Sequence, residues 1–157
     1  SLWDDKKQAG KLYEETFSYL KKLRSKLKIK VPNMKVNIEK TKNYYNSITT
    51  QKLCDCDYCK NYYLQIKFAY PEVARYLEEF GIDIEKPYEL APLSPDNNIL
   101  EYCGCQYIVF GSCKDTYNHK IGDVCFHLAT SFPNTGIKEE HFVIEFYPIK
   151  LNYIFST

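Results

Sequence analysis

No apolar run in these 157 residues approaches the roughly 20 needed to cross a bilayer, which excludes a spanning helix. The first 30 residues lack the apolar stretch of a secretory signal and carry acids and many lysines instead. Without an export signal the expected compartment is the cytoplasm, where thiols stay reduced or bind metal. Charge of one sign is also missing. The 21 Lys and Arg nearly cancel the 20 Asp and Glu, leaving +1, so no whole-protein field draws the chain to nucleic acid or an anionic membrane. A glycine-rich phosphate loop, a Gly-x-Ser-x-Gly elbow and a His-Glu-x-x-His pair are all absent, and with them the enzyme classes they mark. Internal repeats and low-complexity segments are absent too. The seven cysteines are an odd number, which does not suit a closed disulfide framework.

What is present is a globular composition, with 45% hydrophobic and 26% charged residues, which excludes a disordered tail protein. A chain of this size makes about one domain and hides about two-thirds of its unfolded surface without needing staples. Aromatics reach 16%, carried by 15 Tyr and 9 Phe. Charge is uneven along the chain. Residues 1–34 hold nine Lys/Arg and four Asp/Glu, a net +5 that leaves −4 for the rest. Tyr13, Phe17, Leu20, Leu23 and Leu27 share the 3–4 spacing of one helical stripe, predicting an amphipathic helix over roughly Asp5 to Lys28. Its basic C-terminal end suits the helix dipole, and Val31-Pro32-Asn33 ends it. Residues 1–33 therefore read as a basic helix and possible extension, and 34–157 as one domain. The stripe predicts docking on the body of the protein or on a protein partner, a second copy of the chain included.

After this helix come a short strand at Lys35–Ile38 and a helix near Lys40–Ile48. A helix capped by Asp57 or Asp55 then runs to about Tyr70. A further helix starts at Pro71, carries Val73, Leu77 and Phe80, and ends at Gly81. From Ile99 the texture is that of strands, at Ile99–Cys103, Cys105–Gly111, Asp123–Thr130, His141–Pro148 and Lys150–Phe155. Helices first and strands second predict an α+β fold, with N-terminal helices packed on a mainly antiparallel three- to five-stranded C-terminal sheet.

Cys54-x-Cys56-x-x-Cys59 is the sharpest chemical feature. Three thiolates on a tight turn can share one zinc ion at about 2.3 Å each, and a helix start supplies donors and partial positive charge that favour thiolates. A structural site needs a fourth ligand; the best candidate is Cys105 or its neighbour Cys103, ahead of Cys113 and His119, His127 and His141. Asp55 and Asp57 oppose the site mildly, because their charge keeps protons on nearby thiols. The same cysteines also fit reduced thiols packed as small hydrophobes. A third reading is a cysteine-dependent redox protein or thiol enzyme using Cys56 and Cys59, although the βαβ frame of thioredoxin-like motifs is missing.

Two other groupings bear on function. Cys125 and His127 lie on one face of a predicted strand, with Glu145 on a matching face of the next, so a Cys-His-Glu set can be drawn. Strand neighbours two apart are about 6.6 Å from one another, too far for a direct thiol–imidazole bond. Tyr44, Tyr45, Tyr58, Tyr62, Tyr63, Tyr70 and Tyr76 gather near the cysteines, either as a binding face or as rings half buried with wet hydroxyls.

The run Cys54-Asp55-Cys56-Asp57-Tyr58-Cys59-Lys60-Asn61-Tyr62 resembles a family of small uncharacterised proteins of Gram-positive bacteria that carry a C-D-C-x-Y-C-x-N-Y motif. The likeness continues through Tyr70-Pro71-Glu72, residues 81–87, residues 106–111 and residues 141–145, covering roughly Met34 to Phe155. It implies a bacterial, cytoplasmic protein and carries no activity with it. Since the family begins near the position of Met34, the resemblance makes the first helix an extension. Cysteines matching Cys103 and Cys105 are not a regular part of the family pattern. Together these readings point to a cytoplasmic binding or accessory protein, with zinc as the one cofactor implied.

Overall fold

The computed structural model describes residues 2–30, 34–114 and 116–155, with the side chains of 2, 3 and 23–30 excepted. The chain divides into two compact units, Ser1–Asn33 and Met34–Thr157. The first holds one helix, α1 (Leu2–Lys30), with Asp4 and Asp5 in its first turn, where the dipole favours acids. Tyr13 and Phe17 stack with ring centroids 6.4 Å apart, as the i, i+4 spacing requires. Every side chain from Asp4 to Lys22 is exposed, the apolar Leu12, Tyr13, Phe17, Tyr19 and Leu20 among them. The rest of the expected stripe (Leu23, Leu27) and the break at Val31-Pro32-Asn33 lie outside the described residues.

The second unit is α+β, as its pattern predicts. It opens with β1 (Met34–Val36) and α2 (Ile38–Ser47). Asn37 caps α2, its Oδ1 accepting the Lys40 N–H at 3.0 Å. Next come α3 (Asp57–Ala69) and α4 (Pro71–Glu78), with Pro71 in the first turn, where its missing N–H costs nothing. Gly81 follows with φ +87°, and a Cβ there would stand 2.6 Å from the Ile38 carbonyl, so only glycine fits.

The strands are β2 (Glu89–Pro92), β3 (Ile99–Cys113), β4 (Asn118–Ile121), β5 (Val124–Leu128), β6 (His141–Tyr147) and β7 (Ile149–Asn152). With β1 they form one sheet of order β1-β3-β6-β5-β4, with β2 and β7 also pairing β3, and every pairing is antiparallel. The expected strands at Ile99–Cys103 and Cys105–Gly111 are one continuous strand, β3, with Gly104 inside it. The strand nonetheless changes face there. Leu100 and Tyr102 are buried before Gly104, and Cys105, Tyr107 and Val109 are buried after it. The partners change together, from Phe146 inward to Ile149 inward across Pro148. A period-2 reading breaks at such a switch although the ladder continues.

Tyr62, Ile66, Val73 and Leu77 of the helices pack on Leu100, Tyr107, Ile144 and Phe146 of the sheet. Burying each large apolar side chain stabilises by about 1.5–3 kcal/mol. The tyrosines belong mostly to this core. Tyr45, Tyr62, Tyr102 and Tyr107 are fully buried, and each hydroxyl is paired. The Tyr62 and Tyr107 hydroxyls lie 2.7 Å apart, and the Tyr107 and Tyr45 hydroxyls donate to the Ile84 and Ile108 carbonyls at 2.6 and 2.7 Å. Burial pushes the Tyr45, Tyr62 and Tyr107 phenols well up, so they stay neutral donors.

The start of α3 is anchored twice. Tyr102 donates to the Tyr58 carbonyl at 2.5 Å. Asn61, wholly buried, donates to the Asn152 carbonyl at 3.0 Å and accepts the Ile154 N–H at 2.9 Å. The cysteine turn is therefore held to the sheet through the helix that follows it.

Candidate metal centre

Cys54 and Cys56 precede α3, and Cys59 lies in its first turn. Their three sulfurs lie within 4.8 Å of one another, and no other group of three or more metal-ligating side chains comes together among the described residues. Tetrahedral zinc thiolates place sulfurs about 3.8 Å apart, a contraction within reach of side-chain rotation. All three thiols are free. Cys54 and Cys56 are exposed and only Cys59 is half-buried, so packing as small hydrophobes does not describe the first two.

The cap of α3 departs from the expectation. Neither Asp55 nor Asp57 caps it; Cys56 does, its Sγ accepting the Cys59 N–H at 3.5 Å. Asp57 is already the first helical residue, one position too late to cap. That geometry separates the thiols electronically. Desolvation, the largest single influence on Cys56, raises it, but hydrogen bonds from the Cys59 N–H, the Cys54 and Cys59 thiols and the Tyr58 N–H bring it below the ordinary thiol value. Burial first, and then the neighbouring Cys56 and Cys54, push Cys59 far up. Cys56 is thus the more acidic thiol of the group and Cys59 the one that holds its proton more tightly.

Tyr63, one turn after Cys59 and one of the tyrosines that the sequence gathers near the cysteines, neighbours the cluster. Burial raises its phenol, followed by the charge of Cys59 and Cys54. The i, i+4 spacing of Cys59 and Tyr63 on α3 brings the two together. A cleft of about 340 Å³ opens beside the cluster, lined by Cys54, Tyr63, Lys60, Asp83 and Lys86 among others.

The other sequence candidates are elsewhere. Cys105 is wholly buried on the core face of β3, next to Tyr62 and outside the cluster, and burial raises its thiol. The face switch at Gly104 is what turns it inward. Cys103 points the other way, its thiol donating to the Ala91 carbonyl at 3.2 Å. His119 stacks on Tyr76, and the His141 ring nitrogens contact Thr135 and the Glu139 carbonyl at 2.7 Å each. The pairing of β5 with β6 does set His127 opposite Glu145, with Nε2 and Oε1 3.3 Å apart. Cys125 does not join them; its thiol makes a weak contact of 4.0 Å with the Asp123 carbonyl. No protein-family model, curated protein or solved structure matches the chain. No helix among the described residues is long and apolar enough to cross a membrane.

Proposed function

We propose that the protein is a cytoplasmic binding or accessory protein whose Cys54, Cys56 and Cys59 hold a zinc ion. The observation that carries this reading is the convergence of three free sulfurs within 4.8 Å, two of them exposed, at a capped helix start. Soft thiolates select zinc or another soft cation over magnesium or calcium. Bound there, zinc would supply a rigid cross-link between the Cys54 loop and the first turn of α3. The buried position of Cys105 favours water or a donor from a partner as the fourth ligand.

The test is a zinc titration against a chromophoric competitor on anaerobically purified protein, with thiol counting before and after. One zinc per chain and protection of three thiols are expected. Affinity should rise with pH, because metal displaces protons from thiols and the Cys59 proton is held tightly. The logarithm of the apparent constant should climb by about two to three per pH unit between roughly pH 6 and 8. A flat profile, or no stoichiometric zinc, would overturn the site. One observation favours a second reading: Cys56, exposed and lowered, lies beside the partner thiol Cys59. A reversible Cys56–Cys59 disulfide with a potential near the cytosolic poise would establish the redox protein instead.

The exposed stripe of α1 supports self-association as the binding mode. Tyr13, Phe17 and Leu20 repeat every three to four residues and offer the apolar seam of a helix pair. The full chain should sediment as a dimer or larger, and a chain lacking residues 1–31 as a monomer. Equal sedimentation of the two at matched concentration would remove self-association.

A further inference from the structure

The cysteine cluster holds three sulfurs and stops there. Cys54, Cys56 and Cys59 lie within 4.8 Å of one another, and no histidine, acid or further cysteine among the described residues joins them. Cys105 is buried in the core, and the Cys103 thiol donates to the Ala91 carbonyl. Asp55 and Asp57 stand between the three cysteines in the sequence, yet neither carboxylate comes into the group. Zinc takes four ligands, so a zinc ion here leaves one position to be filled from outside the chain. An element that takes three sulfurs and no more needs nothing from outside.

Trivalent arsenic is such an element. It is soft, bonds strongly to sulfur, and carries a lone pair where a tetrahedral ion would bind its fourth ligand. Charge favours it as well. Three thiolates around zinc carry one net negative charge, in a loop that already holds Asp55 and Asp57 against the single Lys60. Three thiolates around arsenic(III) are neutral, and like charges held close together are costly. Access fits too. Cys54 and Cys56 are exposed, and Cys54 lines the cleft of about 340 Å³ beside the cluster. Arsenous acid, small and uncharged, reaches these two sulfurs first, and Cys59 in the first turn of α3 closes the set.

We infer that Cys54, Cys56 and Cys59 form a three-sulfur receptor for arsenic(III). The inference rests on the same convergence of sulfurs as the zinc reading and names a second occupant for it. In the binding step three S–H and three As–O bonds break, three As–S bonds form, and three waters leave with the thiol protons. Arsenic stays trivalent, so no oxidant or reductant takes part. A cellular monothiol offers the same kind of sulfur one molecule at a time. Three sulfurs already gathered on one turn compete with it through their effective concentration.

The probe is sodium arsenite, added to the full chain after reduction with a phosphine and removal of the reductant under argon. One arsenic per chain is expected, read as ultraviolet sulfur–arsenic absorbance and as the loss of three reactive thiols. The complex should survive about a hundredfold excess of glutathione. Cys54→Ser, Cys56→Ser and Cys59→Ser should each weaken arsenite by about a hundredfold or more, since loss even of an outer-shell partner costs a metal site about ten- to a hundredfold. Each of these variants should keep phenylarsine oxide, which needs only two thiols, and so report that the remaining pair is in place. Cys103→Ser and Cys125→Ser should bind arsenite as the parent does. Two thiols lost per arsenic, displacement by glutathione, or equal weakening by Cys103→Ser would overturn the inference. Zinc added to separate samples keeps the two readings apart. Arsenite binding without zinc overturns only the zinc site, and zinc binding without arsenite overturns only this one.

Discussion

A chain with serine at positions 54, 56 and 59 should take up no zinc while its metal-free stability stays within about 0.5 kcal/mol of the parent. The expectation is sharp because of what Cys56 does besides offering a sulfur. It is the N-cap of α3, a role in which serine is among the favoured residues, so the substitution keeps the helix start or improves it. The two exposed thiols have little packing to lose. Without metal, parent and variant should melt together. With zinc at a thousandfold excess over its dissociation constant, the parent alone should gain about 4 kcal/mol from linkage. Calorimetric melting with and without zinc reads both differences. A parent whose melting ignores zinc would sink the metal site. A variant that collapses in the absence of metal would mean that the sulfurs pack after all.

The second expected result concerns Gly111, where β3 meets β1. Its φ is +132°, and a Cβ would fall 1.9 Å from the Lys35 carbonyl oxygen. No side chain can relax that contact, since the obstacle is backbone paired in the ladder from Met34–Cys113 to Val36–Gly111. Gly111→Ala should therefore cost at least about 3 kcal/mol, combining a forbidden conformation with a broken strand pair. Gly104→Ala is the matched control, because its Cβ would meet only ordinary contacts of 3.5 Å or more, and it should cost no more than about 1 kcal/mol. Urea midpoints of the two variants check the contrast. Similar midpoints would show that β1 adds nothing to the stability of the unit.

The α+β class was legible because its signals are local: helical stripes before Gly81, β-branched and aromatic runs after Ile99. Pro71 and Gly81 marked helix ends through backbone rules that tertiary contacts rarely override. The strands β2 and β4 were not legible, being four residues each, with Pro92 in one and Asn118, His119 and Lys120 in the other. Their pairing comes from what lies alongside them. The continuity of β3 was hidden by Gly104, which reads as a break and is a face switch. At the cysteines, the convergence was readable from spacing, but the cap was not. Aspartate is the commoner cap, and only the observed helix start shows that Cys56 takes that place. Gln106 stood in plain view as the lone amide in an apolar run, yet its amide pairs with Ser131 and Glu145, which the sequence keeps far from it.

The long strand β3 has a consequence for how the chain is made. Every strand but β4 and β5 pairs directly with it, from β1 near the start of the unit to β7 at its end. Closing such distant pairs costs loop entropy before any contact repays it, so the sheet is slow to assemble and waits for the last strands to leave the ribosome. The three cysteines obey a different clock. All lie within residues 54–59, which emerge well before β6 and β7, although the turn that gathers them is anchored by Tyr102 and Asn152 of the sheet. During synthesis the thiols meet the surrounding metal and oxidant pool before the sheet exists. The three thiols thus leave the ribosome before the strands that fix their turn are made.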